Sequence, residues 1–221
     1  VLAIAKSGDS KSTTLGNLII RKEAYRNDFL PENIFIFSDK DSLKNDLKMR
    51  VIIEELEVPE QNIFEGYNNE VVNIVYEMLV DNYQEKIEEG ITNKKDLNSI
   101  IIMDDLAYTD CFKSNEKDNA MKKLFMNSRK ALISIYVISQ KYSSLGTILR
   151  ENASGLIIGK ASNKQVELIE ADNNFLKQGK KAFMKMFRET TEKPFSKLII
   201  NYSKPNIYYN ENFEPIDLNK I

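Results

Sequence analysis

The chain contains no histidine and a single cysteine, Cys111, among its 221 residues. These two absences exclude whole classes of chemistry. Without histidine and with one thiol, no common zinc site can be assembled. Ser-His-Asp and Cys-His nucleophilic catalysis are excluded on the same ground. One cysteine cannot form an internal disulfide framework and fits a reducing compartment. No apolar run approaches the about 18 residues expected of a membrane-spanning helix. There is no signal-peptide pattern and no initiator Met, so the chain reads as a trimmed chain or an excised domain. Charge of one sign is also missing in bulk. Lys and Arg total 31 against 33 Asp and Glu, a net charge of −2, so a nucleic-acid contact would need a locally basic face or pore. No Gly/Ser-rich linker, repeat or composition shift divides the sequence, and the length suits one α/β domain. Carboxylate, lysine, arginine and hydroxyl groups remain, with Mg²⁺ as the natural metal. That inventory suits phosphoryl transfer, where positioning and charge neutralisation do most of the work.

Apolar runs alternate with helix-like segments from end to end. Strand patterns are read at Val1–Ala5, Ile34–Phe37, Asn62–Glu65, Ile100–Met103, Ser134–Ser139 and Gly155–Gly159, and near the C-terminus at Ala182–Phe187 and Phe195–Asn201. Helical spacing predicts helices from Lys11 to about Tyr25, Leu43–Leu56, Val71 to about Ile87, Lys117–Lys130, Leu145–Glu151, and Asn163 to about Leu176. Residues 1–201 are expected to form one domain, followed by an extended tail over 202–221. Alternating strands and helices imply a mostly parallel sheet covered on both faces, with its ligand site at the carboxyl ends of the strands.

The residues suited to that chemistry fall at such ends. The first strand runs into Lys6-Ser7-Gly8-Asp9-Ser10-Lys11-Ser12-Thr13, close to the phosphate-loop pattern G-x-x-x-x-G-K-[ST]. Such a loop aims backbone N–H groups at an anion, and its lysine neutralises the β and γ phosphates. Lys11 and Ser12 take the lysine and Mg²⁺-hydroxyl positions, while Ala5 and Ser10 stand where the pattern has glycine. Asp9 brings a negative charge beside the expected phosphate unless it turns outward. The strand Ile100–Met103 ends in Asp104-Asp105, as a Walker B strand would. There Asp104 would orient Mg²⁺ and Asp105 would act as general base. Gln140, after the strand Ser134–Ser139, could sense the γ-phosphate, and Arg129 and Arg150 could reach a neighbouring subunit's triphosphate. Each feature also has an ordinary reading: a serine-capped strand–turn–helix, a solvated acidic turn, a polar strand end, exposed arginines. The Lys177–Lys181 patch reads as a solvated turn.

Taken in order, Lys6–Thr13, Ile101-Ile102-Met103-Asp104-Asp105, and Asn127-Ser128-Arg129-Lys130 leading to Ile138-Ser139-Gln140 resemble the FtsK–HerA superfamily. The chain is most similar to the DNA-packaging ATPases of large double-stranded DNA viruses and virophages, the poxvirus type included. The segment Ile148–Ser154, with its Arg150 and Asn152-Ala153, also resembles that branch. The resemblance covers roughly residues 1 to 160. It implies a RecA-like (ASCE) P-loop NTPase that binds ATP and Mg²⁺, assembles as a pentameric or hexameric ring, and drives duplex DNA into a preformed capsid through a capsid or portal vertex. It implies no membrane partner, and a place in the virus-infected host cytoplasm or with the virion. It further implies that the Gln140 strand lies between the phosphate-loop strand and the Walker B strand, with Asp105 the catalytic acid and Arg129 the first choice for a trans-acting finger. The family's loop has glycine where this chain has Ala5 and Ser10, which suggests weakened but retained ATP binding. Two other readings stand beside the motor: a P-loop ATPase of the conjugation or partition type, and a silent ring subunit insensitive to Lys11→Ala.

Overall fold

The computed structural model describes residues 1–6, 8–109, 111–112, 119–203 and 207–218. In chain order the elements are β1 (Leu2–Ile4), α1 (Lys11–Ile20), β2 (Ile34–Ser38), α2 (Lys40–Asn45), α3 (Leu47–Glu55), β3 (Ile63–Glu65), α4 (Asn69–Glu88) and α5 (Lys94–Leu97). They continue with β4 (Ser99–Asp104), α6 (Ala120–Asn127), β5 (Ile133–Ser139), α7 (Thr147–Glu151), β6 (Gly155–Ile158), α8 (Asn163–Asn173), α9 (Lys180–Thr190), β7 (Leu198–Asn201) and β8 (Tyr208–Tyr209).

The strands form one eight-stranded sheet in the order β3-β2-β4-β5-β1-β6-β7-β8. All pairings from β3 to β6 are parallel, and β7 and β8 add antiparallel at one edge. β5 therefore lies between β4 and β1, the placement that the family resemblance implies for the glutamine strand. Fully buried β2 and β4 read as continuous apolar runs because both of their faces are covered. On one face Ala3, Ile36, Ile102 and Ile157 meet Leu15 and Ile19 of α1 and Met49 and Ile52 of α3. On the other, Leu2, Ile4, Phe37, Met103 and Val137 meet α4, α6, α8 and α9 through Val72, Leu124, Ile169 and Phe183. The α/β fold with a mostly parallel central sheet and helices on both faces is thus borne out.

Three elements differ from the sequence reading. Residues 202–221 read as an extended tail, yet Tyr208–Tyr209 form β8 and pair antiparallel with β7, closing the edge of the sheet. Ala182–Phe187, read as a strand, is the middle of α9. Its buried residues are Ala182, Phe183, Met186 and Phe187, a stripe at helical spacing that the short apolar window disguised. The single helix expected over Leu43–Leu56 is two, because the Asp46 carboxylate accepts the Lys48 N–H at 2.9 Å and starts α3 afresh. The expected start of the next helix, Lys117, lies outside the described residues. Asn119 caps the helix that follows, accepting N–H groups from Met121 and Lys122.

Candidate active site

Parallel pairing places the carboxyl ends of β1, β4 and β5 side by side, and each carries a candidate residue. Ile4 pairs with Ser139 and Asp104 with Ile138. Lys11, the acidic pair and Gln140 therefore emerge at one end of three adjacent strands.

The loop after β1 is shaped by two left-handed residues, Gly8 (φ 79°) and Ser10 (φ 59°). Ser10 thus holds the backbone that glycine adopts freely, at a cost of roughly 1–3 kcal/mol for a residue with a Cβ. It stands at the N-cap of α1, yet its side chain makes no cap hydrogen bond. The serine-cap reading therefore fails, and the first-turn N–H groups have no side-chain acceptor there, which leaves them oriented for an anion. The Lys11 ammonium donates to the Lys6 carbonyl at 3.2 Å, across the loop. Burial lowers its pKa, opposed by the carboxylates of Asp105, Asp104 and Asp9. Ser12 and Thr13 follow in the first turn of α1, and Ser7 lies outside the described residues.

Asp9 does not face the phosphate position. Its carboxylate turns under the loop, accepts the Lys160 N–H at 2.8 Å and lies 3.5 Å from the Lys197 ammonium. Lys197 is 3% exposed, and burial pushes its pKa below the usual lysine range against the pull of Asp9. Gly159 makes room for this clasp, since a Cβ there would stand 1.9 Å from Asp9 Oδ2 and 2.8 Å from the Ala5 Cβ. Sequence reading missed both Lys197 and Gly159. The one available signal was a lysine abutting the apolar run Leu198-Ile199-Ile200.

Asp104 is buried at the end of β4, with the Ser38 hydroxyl 3.5 Å from its Oδ2. Burial, with the nearby Asp105, Asp46 and Asp39, raises its pKa to about 7. Asp105 turns left-handed (φ 52°), and its N–H donates to the Ile138 carbonyl at 3.3 Å. This bend swings its carboxylate out to Gln140, whose Nε2 donates to both oxygens at 3.2 and 2.9 Å. Gln140 and Asp105 thus act as a pair. Among the described residues no group of three or more Asp, Glu, His or Cys could cage a metal. One buried carboxylate, one hydroxyl and incoming phosphate oxygens instead suit Mg²⁺, which keeps much of its own hydration.

The Asp104 shift carries a pH prediction. A carboxylate whose pKa rises on folding binds its proton more tightly in the folded state, so stability falls as pH rises from about 4 to about 7. Asp104→Asn is expected to stabilise the nucleotide-free protein by a few kcal/mol at pH 8 and hardly at all at pH 4. Urea midpoints of the two proteins across that range check it.

The two arginines are not in this cluster. Arg129 is exposed in the short turn that leads into β5, at the opposite end of that seven-residue strand from Gln140, on the order of 20 Å away. Arg150 lines the same cavity of about 500 Å³ as Arg129. It is occupied within its own chain, ion-paired with Asp172 and held 5.1 Å from the centre of the Tyr142 ring.

A family model described as the poxvirus A32 protein matches residues 59–208, about two-thirds of the chain. The chain belongs to the poxvirus A32 family. The span matched to that family takes in Asp104, Asp105, Arg129 and Gln140 but begins after the phosphate loop. None of the curated proteins matches the chain. Solved structures show the fold of this A32-family chain elsewhere. The genome packaging NTPase B204 of Sulfolobus turreted icosahedral virus 2, in complex with AMPPCP, is 15% identical over 98% of this chain and 97% of its own, with a TM-score of 0.61. B204 of Sulfolobus turreted icosahedral virus, described as a DNA-packaging ATPase, is 18% identical over 98% and 97%, with a TM-score of 0.58. EssC (ATPases 2 and 3) of Geobacillus thermodenitrificans is 13% identical over 98% of this chain and 40% of its own, with a TM-score of 0.61. The resemblance to the poxvirus type is borne out by the family match, and the solved structures bear out the fold. Among the described residues no helix is long and apolar enough to cross a membrane.

Proposed function

We propose that this chain is an ATP-driven, double-stranded DNA translocase that packages a viral genome into a preformed capsid. One observation carries the reading: Lys11, Asp104, Asp105 and Gln140 converge at the carboxyl ends of β1, β4 and β5 in a chain of the poxvirus A32 family. It is supported by relatives of the same fold that are named as genome packaging NTPases, one of them bound to an ATP analogue.

In this mechanism the loop residues Lys6–Thr13 wrap the phosphates with backbone N–H groups, and Lys11 exchanges its Lys6 carbonyl for the β and γ oxygens. Mg²⁺, when bound, neutralises charge on the phosphate oxygens, and Ser12 and Asp104 are the residues that would hold it. Asp105 takes the proton of the attacking water. Gln140 fixes the Asp105 carboxylate through its amide and lies where a departing γ-phosphate would be felt. Arg129, far from its own loop, serves the site of a neighbouring subunit in a homo-oligomeric ring of five or six. Such a head-to-tail contact closes into a ring when its rotation closes. The ring works at a capsid or portal vertex, in the host cytoplasm or with the virion.

Purified protein is expected to hydrolyse ATP faster with duplex DNA, and to displace a bound block from one end of the duplex while doing so. Hydrolysis without displacement would assign the chain to a P-loop ATPase of the conjugation or partition type. Assembly without turnover would make it a structural ring subunit.

A further inference from the structure

The phosphate loop opens sideways into a cavity of about 780 Å³, within the size range of small-ligand pockets. Ser10, Thr13 and Thr14, from the loop and α1, line it together with Phe195 and Phe213 from the segments flanking β7 and β8. Both phenylalanines lie outside the elements that form the phosphate site. Phe195 precedes β7, and Phe213 lies in the turn beyond β8.

Both rings are presented openly, Phe195 at 61% exposure and Phe213 at 51%. Both residues also hold left-handed backbone, with φ of 66° and 62°. Bulky residues seldom adopt that conformation. Two of them doing so at one cavity, with rings half in solvent, is not what core packing would select. The Phe195 backbone is also tied to the phosphate loop. The Lys197 ammonium donates to the Phe195 carbonyl at 3.0 Å and lies 3.5 Å from Asp9 Oδ2. Aromatic surface and anion-binding turn are thereby fixed relative to each other by one buried lysine.

We propose that this cavity is the base subsite of the nucleotide, in which a purine ring rests against Phe195 and Phe213 while its phosphates enter the loop past Thr13 and Thr14. The inference rests on the phosphate-site reading above. Three features fix the occupant. The cavity is continuous with the loop. Its lining carries two aromatic rings, and every base has a π-face that stacks on such a ring. Leu18 and Ile199 add apolar lining, beside the polar Asn17, Arg21 and Asn212, as a flat ring with a polar edge requires. Stacking recognition of this kind tolerates different bases, so ATP and GTP are both expected to bind.

The test compares ATP with inorganic tripolyphosphate, which has the phosphates and no base, by calorimetric titration with Mg²⁺ present. Phe195→Ala and Phe213→Ala are each expected to weaken ATP by roughly tenfold and to leave tripolyphosphate unchanged. Phe195→Trp keeps an aromatic face and is expected to retain ATP affinity. Lys11→Ala is expected to weaken both ligands. Unchanged ATP affinity in both alanine variants would overturn the base assignment while the phosphate site stands. Loss of tripolyphosphate together with ATP in those variants would also overturn it, since the rings would then be serving the loop. Binding of neither ligand by the parent protein would overturn the phosphate-site reading itself, and the base subsite with it.

Discussion

Asp105→Ala is expected to lose ATP turnover by roughly 10²–10⁴-fold while binding ATP as the parent chain does. The expectation follows from where the carboxylate is held. Asp105 takes a left-handed turn at the end of β4, which carries its side chain out of the strand. The Gln140 amide donates to both of its oxygens, so the group is positioned before any ligand arrives. Among the described residues its hydrogen bonds run to Gln140, and it reaches the phosphate-gripping loop only through its charge on Lys11. Removing it should therefore strip the general base without loosening the nucleotide. Lys11→Ala has the opposite signature, because its ammonium lies across that loop and its loss weakens binding itself. Single-turnover hydrolysis at saturating ATP, paired with equilibrium titration, separates the two. Equal losses in both measurements for Asp105→Ala would remove Asp105 from the role of base.

The second large effect is structural. Lys197→Met is expected to destabilise the protein by about 3–5 kcal/mol, the usual consequence of leaving one member of a buried ion pair alone. Asp9 would keep the Lys160 N–H, while the Lys197 ammonium beside it would be replaced by an apolar group. Asp9→Asn in the same chain should recover most of the loss, because the stranded charge is then gone. Urea unfolding of the parent, the two single variants and the double variant measures this coupling. Additive losses would show that Asp9 and Lys197 do not depend on each other. If the pair does anchor the loop, nucleotide affinity should fall in Lys197→Met and return in the double variant.

Much of this architecture is legible in the residue order, and the limits of that legibility are physical. Strands buried on both faces give unbroken apolar runs such as Ile100-Ile101-Ile102-Met103, and these were readable. Chemistry at strand ends was readable because parallel topology puts all such ends together. The α9 stripe failed because six residues, Ala182–Phe187, are too few to separate a period of two from one of 3.6. Asp9 read as an unfavourable charge because its partners lie at positions 160 and 197, and nothing local announces a contact that distant. Ser10 read as a defect because sequence shows the missing glycine but not the left-handed backbone that the serine adopts in its place. Only the family resemblance set Arg129 ahead of Arg150 in sequence. Folding distinguishes them, since Arg150 is taken up by Asp172 and Tyr142 while Arg129 is exposed.

The buried Asp9–Lys197 pair also bears on where such a chain could be shortened. The six parallel strands β1 to β6 look like a self-sufficient nucleotide fold, and the antiparallel edge beyond them looks like an ornament added late. The counter-ion of the phosphate loop comes from that edge. A gene fragment ending at Ile158 would encode every residue of the acid pair and the glutamine, yet would leave the loop's own carboxylate with no cation. The antiparallel edge is in this sense part of the nucleotide-binding unit, since it supplies the cation that holds Asp9 beneath the loop.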